Sequence, residues 1–274
     1  MRSRVARLGR RAAAEVTAFA SRVRGVNRHA ARIIYYHRID TEEHRSCVAP
    51  KAFAEQMELL RSEGWQPIGL DSLHRTFAGG NRVAERSVAI TFDDGFADNY
   101  TRAFPILTRL EMPATIFLTA GFIGRDELPV LRDRRGVPPL TWEQVAEMAR
   151  HGVDFGAHTL SHPELTASED LALEGEITGS RRLIEQHLGR RITGFCYPRG
   201  RFDDRVVAAV KRAGFGWACT TRPGAVAATT DPFEWPRTFI ARDDTLADFR
   251  LKLEGGFDLL HTLRQARVAP ASAR

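Results

Sequence analysis

The stretch that decides the interpretation of this sequence is Ser87-Val-Ala-Ile-Thr-Phe-Asp-Asp-Gly95. Its first six residues are rich in β-branched and aromatic side chains and predict a buried strand. Neighbouring side chains of a strand point to opposite faces, so Asp93 and Asp94 can serve one pocket only if the strand ends and turns here, as Gly95 permits. Two adjacent buried carboxylates are costly unless a cation neutralises one of them. The stretch therefore indicates a metal site at the end of a strand, although Asp-Asp-Gly is also typical of surface turns.

A second polar motif, which also follows a predicted strand, favours the metal site over the surface turn. The run Val153–Ala157 predicts the strand, and His158 and His162 follow it four residues apart. This spacing would put both imidazoles on one side of a helical turn. Together with Asp94 they offer two nitrogens and one carboxylate, a ligand set that leaves positions open for water and substrate, as in catalytic zinc sites. Asp93 would then be left to act as a base.

After the first 30 residues, the chain alternates between short β-branched or aromatic runs and longer segments of helical period. Capping-box patterns at Thr141 and Thr166 each predict the start of a helix, and Pro105 is expected to bend another. About seven such alternations without an intervening linker predict a single-domain α/β fold, a closed or nearly closed (β/α) barrel with parallel strands, with an open doubly wound sheet as the alternative. The strands are predicted over residues 32–37, 87–92, 113–119, 153–157, 192–197, 216–220 and 237–241.

Charge is distributed unevenly along the 274 residues, whose formal net charge is +6. Residues 1–30 contain eight arginines and one acid, a balance of +7, so the rest of the chain carries −1. We therefore divide the chain into an Arg-rich N-terminal tail (1–30) and a folded domain (31–274). A domain without its own basic stripe is not expected to bind nucleic acid. Peripheral contact of the tail with an anionic membrane surface is a hypothesis.

Composition also limits the compartment and the redox chemistry. No apolar run approaches the roughly 18–20 residues that cross a bilayer, and the tail lacks the apolar core of a secretory signal. The sequence thus favours the cytoplasm or the cytoplasmic face of the membrane, although an extracytoplasmic location is also compatible with it. Three cysteines without a C-x-x-C spacing argue against a disulfide framework and against a cysteine-built zinc site.

Taken together, the two polar motifs resemble a known family. Thr91-Phe-Asp-Asp-Gly95, followed about sixty residues later by His158-Thr-x-x-His162, is similar to the signatures of the polysaccharide deacetylases of carbohydrate esterase family 4, which share the NodB homology domain. The similarity extends over roughly residues 33–240. It implies a distorted (β/α)7 barrel in which Asp93 is the catalytic base. It further implies that Asp94, His158 and His162 bind one divalent ion, preferably Zn²⁺, with Co²⁺, Ni²⁺ or Fe²⁺ as alternatives.

The third motif of that family departs from its common form. Arg-Pro-Pro-Tyr-Gly is replaced by Cys196-Tyr197-Pro198-Arg199-Gly200, so a cysteine stands where an arginine would orient the catalytic aspartate. By resemblance, Tyr197, Pro198, Arg199 and Gly200 contribute to substrate binding, and the backbone N–H of Tyr197 stabilises the oxyanion. The late Leu-His-Asp motif, which usually provides the general acid, has no clear counterpart.

Other segments of the sequence are more similar to one particular branch of the family. Tyr35-Tyr-His37-Arg-Ile39 resembles the N-terminal motif of exopolysaccharide deacetylases, including those that act on poly-N-acetylglucosamine, and Trp235-Pro-Arg237 is similar to another of their segments. The resemblance assigns the role of general acid to His37. The alternative for His37 is a buried strand histidine bonded to a backbone carbonyl.

The sequence therefore predicts a metal-dependent hydrolase that removes acetyl groups from a carbohydrate, with N-deacetylation of N-acetylhexosamine units in a polysaccharide or glycan precursor as the favoured reaction. A sugar O-acetyl esterase is the alternative if His37 is only structural. The missing motif arginine and the missing late histidine motivate another alternative, a catalytically impaired scaffold that binds glycans. A magnesium-dependent phosphatase ranks lower, because two histidines suit a softer ion. The stretch 124–140 predicts a surface loop that shapes the substrate groove.

Overall fold

The computed structural model of the chain describes residues 29–125 and 137–258, together with Arg11, Ala14, Glu15 and Thr17. The described strands are β1 Ala31–Tyr36, β2 Arg38–Ile39, β3 Cys47–Val48, β4 Gln66–Pro67, β5 Ser87–Phe92, β6 Ala114–Leu118, β7 Val153–Ala157, β8 Gly194–Cys196, β9 Trp217–Cys219, β10 Ala225–Val226 and β11 Thr238–Phe239. The α-helices are α1 Pro50–Ser62, α2 Leu70–Ala78, α3 Phe104–Arg109, α4 Trp142–Arg150, α5 Asp170–Leu188, α6 Asp204–Arg212 and α7 Leu246–Leu253.

The main sheet curls until its two edges meet. Strands β1, β5, β6, β7, β8 and β9 are parallel neighbours in that order. Residues 235–239 then join β9 to β1: the N–H of Trp235 donates to the carbonyl of Ala218 at 3.0 Å, and β11 runs parallel to β1. Seven parallel segments thus form the distorted α/β barrel that the sequence predicts, and the alternative of an open doubly wound sheet is wrong.

Successive residues of the strands alternate between two apolar clusters, as the two-residue period of a strand requires. On β1, Ile34 and Tyr36 pack with the surrounding helices, whereas Ile33 packs with Trp217 and Trp235 in the interior. Every residue of β1 and β5 is buried. Both faces of these strands are covered, which explains why their sequences are mostly apolar and do not alternate with exposed polar residues.

Of the two predicted capping boxes, one is present in the structure and the other is not. The capping box at Thr141 is confirmed: its hydroxyl accepts the N–H of Gln144 at 3.3 Å, and the Gln144 side chain accepts the N–H of Thr141 at 3.0 Å. The capping box at Thr166 is wrong. Thr166 lies in a short 3₁₀ turn, its hydroxyl donates to Glu164, and α5 begins after Glu169 without a side-chain cap.

The predicted bend at Pro105 is replaced by a helix start. The chain forms one π-helical turn over Asn99–Ala103 and continues as α3, with Pro105 in the first turn. A proline is tolerated there because the N–H that it lacks would have no partner within the helix.

Part of the N-terminal segment contacts the C-terminal part of the described chain. Ala14 is fully buried and packs against Leu251 of α7 and Phe257. The division of the chain at residue 30 stays a prediction. No helix in the described part of the chain combines the length and the apolar character needed to cross a membrane.

Candidate functional site

The carboxyl ends of β5 and β7 bring the three predicted metal ligands together. Asp94 Oδ1 lies 3.7 Å from Nε2 of His158 and 3.7 Å from Nε2 of His162. One ligand atom from each residue lies within 4.8 Å of the other two. Ligand bonds to zinc of about 2.0–2.2 Å in tetrahedral geometry require donor atoms about 3.4 Å apart. The donor set and its spacing therefore fit one divalent ion.

The turns that carry these ligands adopt backbone conformations that L-residues rarely adopt. Asp94 has φ 76° and is followed by Gly95 with φ 79°, so the chain leaves the strand at Asp94. The expected helical turn for the histidine pair is wrong. Residues 158–162 form a tight turn in which Thr159 (φ 68°) and His162 (φ 59°) are left-handed. The Thr159 hydroxyl accepts the N–H of His162 at 2.9 Å, which closes the turn.

His158 is held in the tautomer that binds a metal. Its Nδ1 lies 2.7 Å from the carbonyl oxygen of Cys196. A carbonyl can only accept, so Nδ1 carries the hydrogen and the lone pair of Nε2 faces Asp94. Burial, reinforced by the neighbouring His162, lowers the pKa of His158 to about 4. The ring is therefore neutral at pH 7, the form in which imidazole is a ligand.

Asp93 lies on the inner face of the barrel and is bound by Arg237, a residue to which the sequence alone assigns no role. Arg237 Nη1 donates to Asp93 Oδ1 at 2.7 Å, and Nη2 donates to Oδ2 at 2.8 Å. The guanidinium is fully buried and also donates to the carbonyl of Thr220 at 2.9 Å. The same Nη2 lies 3.0 Å from the sulfur of Cys196. Arg237 thus brings to the aspartate the guanidinium that the third motif lacks.

The signal for Arg237 was present in the sequence. Arg237 begins the predicted strand 237–241 and belongs to Trp235-Pro-Arg237, which resembles a segment of the exopolysaccharide branch. An arginine is rarely fully buried without a partner, so its position in a buried strand indicates a buried acid. What the sequence does not reveal is which acid, since Asp93 is 144 residues away.

The arginine controls the charge of Asp93. Burial alone would raise the pKa of Asp93, but the Arg237 charge and its two hydrogen bonds hold that pKa well below its ordinary value. The nearby imidazoles of His158 and His37 act in the same direction when they are protonated. Asp93 is therefore a carboxylate throughout the physiological pH range, in the fixed orientation that a bidentate arginine imposes.

A second group of metal-ligating residue types, Asp93, His158 and Cys196, also lies within 4.8 Å. It is less suited to hold an ion, because Arg237 engages both oxygens of Asp93. Burial also raises the pKa of the Cys196 thiol well above its usual range. A metal-binding cysteine must be a thiolate.

His37 follows β1 at the same end of the barrel as the metal ligands. Its ring centroid lies 5.8 Å from that of Tyr35 and 5.9 Å from that of Phe239, and its backbone carbonyl accepts Nδ2 of Asn99 at 2.9 Å. The ring is half-buried and close enough to Asp93 to affect its pKa. The structure thus brings His37 to the edge of the site.

The expected substrate-binding residues occupy a 3₁₀ turn, Pro198–Gly200, after β8. One expectation is corrected. The backbone N–H of Tyr197, expected to face the oxyanion, donates to the carbonyl of Cys219 at 3.2 Å, because the chain still pairs with β9 at this residue. The Tyr197 side chain is also fully buried, and its hydroxyl donates to the carbonyl of Phe233 at 3.0 Å.

The other members of this turn differ in exposure. Pro198 is buried, whereas the Arg199 side chain is 58% exposed and lies 4.0 Å from a carboxylate oxygen of Glu164. Gly200 has φ 66°, and a Cβ there would lie 2.0 Å from Oγ1 of Thr221. Arg199 is therefore the member whose charged group faces solvent.

The predicted groove-shaping loop 124–140 lies largely outside the described residues, which resume at 137. Its described ends are hydrogen-bonded to each other and to the turn that follows β5. The N–H of Leu140 donates to the carbonyl of Gly95 at 2.8 Å, and that of Gly124 donates to the carbonyl of Leu140 at 2.9 Å.

Comparison with known proteins agrees with this arrangement. Residues 80–218, about half of the chain, match the family model described as polysaccharide deacetylase. The chain belongs to the polysaccharide deacetylase family. The matched residues include Asp93, Asp94, His158 and His162, whereas His37 and Arg237 lie outside them.

Two relatives and one solved structure illustrate the similarity. YxkH of Bacillus subtilis (strain 168) is 32% identical over 193 residues, which cover 70% of this chain and 65% of YxkH. The poly-β-1,6-N-acetyl-D-glucosamine N-deacetylase of Escherichia coli (strain K12) is 32% identical over 139 residues, which cover 46% of this chain and 20% of that enzyme. The chain thus spans less than two thirds of either relative. IcaB from Ammonifex degensii shares the fold, with a TM-score of 0.73 and 22% identity over 83% of this chain and 97% of IcaB.

Proposed function

We propose that the chain is a metal-dependent carbohydrate deacetylase that removes N-acetyl groups from N-acetylhexosamine units of a polysaccharide or glycan precursor. The observation that carries the proposal is the convergence of Asp94, His158 and His162 beside a carboxylate, Asp93, that is bound by Arg237. The similarity to a family named for this reaction, and to a relative named for N-deacetylation of poly-N-acetylglucosamine, supports the choice of substrate class.

The three ligands would hold a divalent ion, with Zn²⁺ preferred because of the two imidazoles. Such an ion, when bound, lowers the pKa of a coordinated water and polarises a carbonyl group. The protein contributes a neutral His158, fixed by the Cys196 carbonyl, and an Asp94 carboxylate turned out of its strand.

Asp93 accepts the proton of the attacking water. Arg237 keeps Asp93 ionised and fixes the plane of its carboxylate. The lone pairs that the guanidinium does not use are therefore held in one orientation, in which they can accept a proton. This arrangement also weakens the alternative of a catalytically impaired scaffold. That alternative rests on the missing motif arginine and the missing late Leu-His-Asp histidine, and Arg237 supplies a group equivalent to the first of these from another part of the sheet.

His37 donates a proton to the departing nitrogen. An amine leaves far too slowly as an anion, so cleavage of an amide needs an acid more than cleavage of an ester does. The position of His37 beside Tyr35 and Phe239, near Asp93, favours N-deacetylation over O-deacetylation.

The direct test is to incubate the zinc-loaded full chain with β-1,6-linked N-acetylglucosamine oligomers and to follow products by mass spectrometry. We expect loss of acetyl units and release of acetate. Asp93→Asn should abolish this turnover while the protein still binds zinc, and Asp94→Asn should abolish both. Oligomer binding by the zinc-loaded protein without acetate release from N- or O-acetylated sugars would refute the proposal and favour the scaffold.

A further inference from the structure

The turn between the two histidine ligands is held from the outside by helix α5. Glu176, in the second turn of that helix, directs its carboxylate at the backbone of this turn. Its Oε2 accepts the N–H of Leu160 at 2.8 Å and that of Ser161 at 2.9 Å, and its Oε1 accepts the Ser161 hydroxyl at 2.5 Å. All three bonds end on residues that lie between His158 and His162, and the mechanism above uses none of them.

The opposite side of the same turn is bonded to the segment after β6. The N–H of Ala120 donates to the carbonyl of Thr159, and that of Gly121 donates to the carbonyl of Leu160, both at 2.9 Å. The contacts are close: a Cβ at Gly121 would lie 2.7 Å from the Leu160 oxygen. The peptide groups of 159–161 are therefore fixed from two sides.

Helix α5 has a glycine at the point where the turn approaches it. Gly179 lies nearly one helical turn after Glu176, and a Cβ on it would lie 2.7 Å from Cδ1 of Leu160. The absence of a side chain at Gly179 thus lets Leu160 approach the helix closely enough for the carboxylate to reach the backbone. Glu176 and Gly179 act on the same loop residue from one helix face.

The two histidines differ in how their rings are held. His158 has a ring partner, the Cys196 carbonyl. The buried Nδ1 of His162, in contrast, has no hydrogen-bond partner within the described residues. Metal-binding histidines are usually oriented through this second nitrogen. The position of the His162 ring therefore depends on the backbone of its turn, where Thr159 and His162 are both left-handed and need external restraint.

We propose that Glu176 is a positioning residue for the metal centre: its carboxylate clamps the 160–161 backbone and thereby sets the separation of the two histidine Nε2 atoms. The inference rests on the proposed metal centre. Loss of a hydrogen-bonding partner behind a metal ligand typically weakens metal affinity about 10–100-fold. We expect Glu176→Ala to weaken zinc binding by a factor in this range.

Glu176→Gln is the conservative variant. Its amide oxygen can accept the two backbone N–H groups, while its NH₂ group can donate to the Ser161 hydroxyl, so the geometry is kept and only the negative charge is lost. We expect its zinc affinity to lie between those of the wild type and Glu176→Ala. Glu174→Ala is the matched control, because Glu174 lies on the same helix and pairs with the exposed Arg212 at 2.9 Å. Its zinc affinity should equal that of the wild type.

The experiment measures the zinc Kd of the full chain by competition with a chromophoric chelator, and the visible absorption spectrum after Co²⁺ substitution. The expected result is a weaker Kd and a changed Co²⁺ spectrum for Glu176→Ala, with partial rescue by Gln. Wild-type values for Glu176→Ala would overturn the clamp, even if the variant were less stable to heat. Absence of zinc binding by the wild type would instead refute the proposed metal centre and the clamp with it.

A variant that keeps Glu176 allows the proposal to be tested even if Glu176→Ala does not fold. Ser161→Ala removes one of the three bonds to the carboxylate and leaves both backbone bonds in place. If Glu176→Ala does not fold, Ser161→Ala should still show a zinc affinity severalfold weaker than that of the wild type. An unchanged affinity and Co²⁺ spectrum in Ser161→Ala would then count against the clamp.

Discussion

Replacing Arg237 by methionine should strongly destabilise the protein, because the variant leaves Asp93 buried without its counter-ion. The guanidinium is fully buried and the Asp93 side chain is 4% exposed, so solvent cannot replace the lost bonds. Removing one partner of a buried ion pair costs about 3–5 kcal/mol. We expect a loss of that size in the free energy of unfolding, measured by urea denaturation of the metal-free protein at pH 7.

The loss should depend on pH in a defined direction. In the wild type the pKa of Asp93 is lower in the folded state than in the unfolded state, so its contribution to stability is complete above the ordinary pKa and is lost only as the pH falls through the lower folded value. Without Arg237, burial raises the folded pKa above the unfolded one, and the folded state then gains stability as the pH falls. The difference between variant and wild type should therefore shrink from pH 7 to pH 5.

Two further variants separate this effect from loss of packing. Adding Asp93→Asn to Arg237→Met removes the unpaired charge and should recover about 1–3 kcal/mol at pH 7. Arg222→Gln, which breaks an exposed ion pair to Glu234, should change stability by less than about 1 kcal/mol. An Arg237→Met protein within about 1 kcal/mol of the wild type, or one whose deficit is the same at pH 5 and pH 7, would refute the reasoning, since both results require a solvated Asp93.

Other predictions concern the acid, the barrel interior and a helix cap. His37→Ala should lower N-deacetylation about 10²–10⁴-fold and O-deacetylation much less; equal retention of both activities would rule out His37 as the acid. Gly194→Ala should cost about 1–3 kcal/mol in thermal or urea unfolding, because its Cβ would lie 2.1 Å from the ring of Trp217. Gly175→Ala, in α5 with open space around its Cβ, should instead stabilise by about 0.5–1 kcal/mol, and the opposite order of the two variants would contradict the packing described. Thr141→Ala should cost about 0.5–2 kcal/mol through loss of the capping box, whereas Thr166→Ala, which caps no helix, should cost less.

Local patterns in the sequence were sufficient to predict the seven main parallel strands and the end of the sheet at which the polar residues lie. The residues of β5, four of them apolar, and the run of β7 predict strands because their periodicity and β-branched content are local properties. Asp94 and His158 each follow one of these strands. The alternation of strands and helices implies a parallel sheet, and parallel strands end at the same edge of their sheet. The two motifs are therefore expected to lie at the same edge.

How the site is supported depends on long-range contacts that arise only when the chain folds. Arg237 reaches Asp93 because closure of the barrel makes 235–239 a neighbour of β1, and a pairing across 144 residues leaves no periodic trace in the sequence. The same holds for Glu176, since two of its three partners are backbone groups that any residue offers. The left-handed turn at 158–162 and the engagement of the Tyr197 amide by β9 were mispredicted for a related reason. Residue spacing limits which side chains can meet, whereas backbone direction at a strand end is set by the contacts on either side of it.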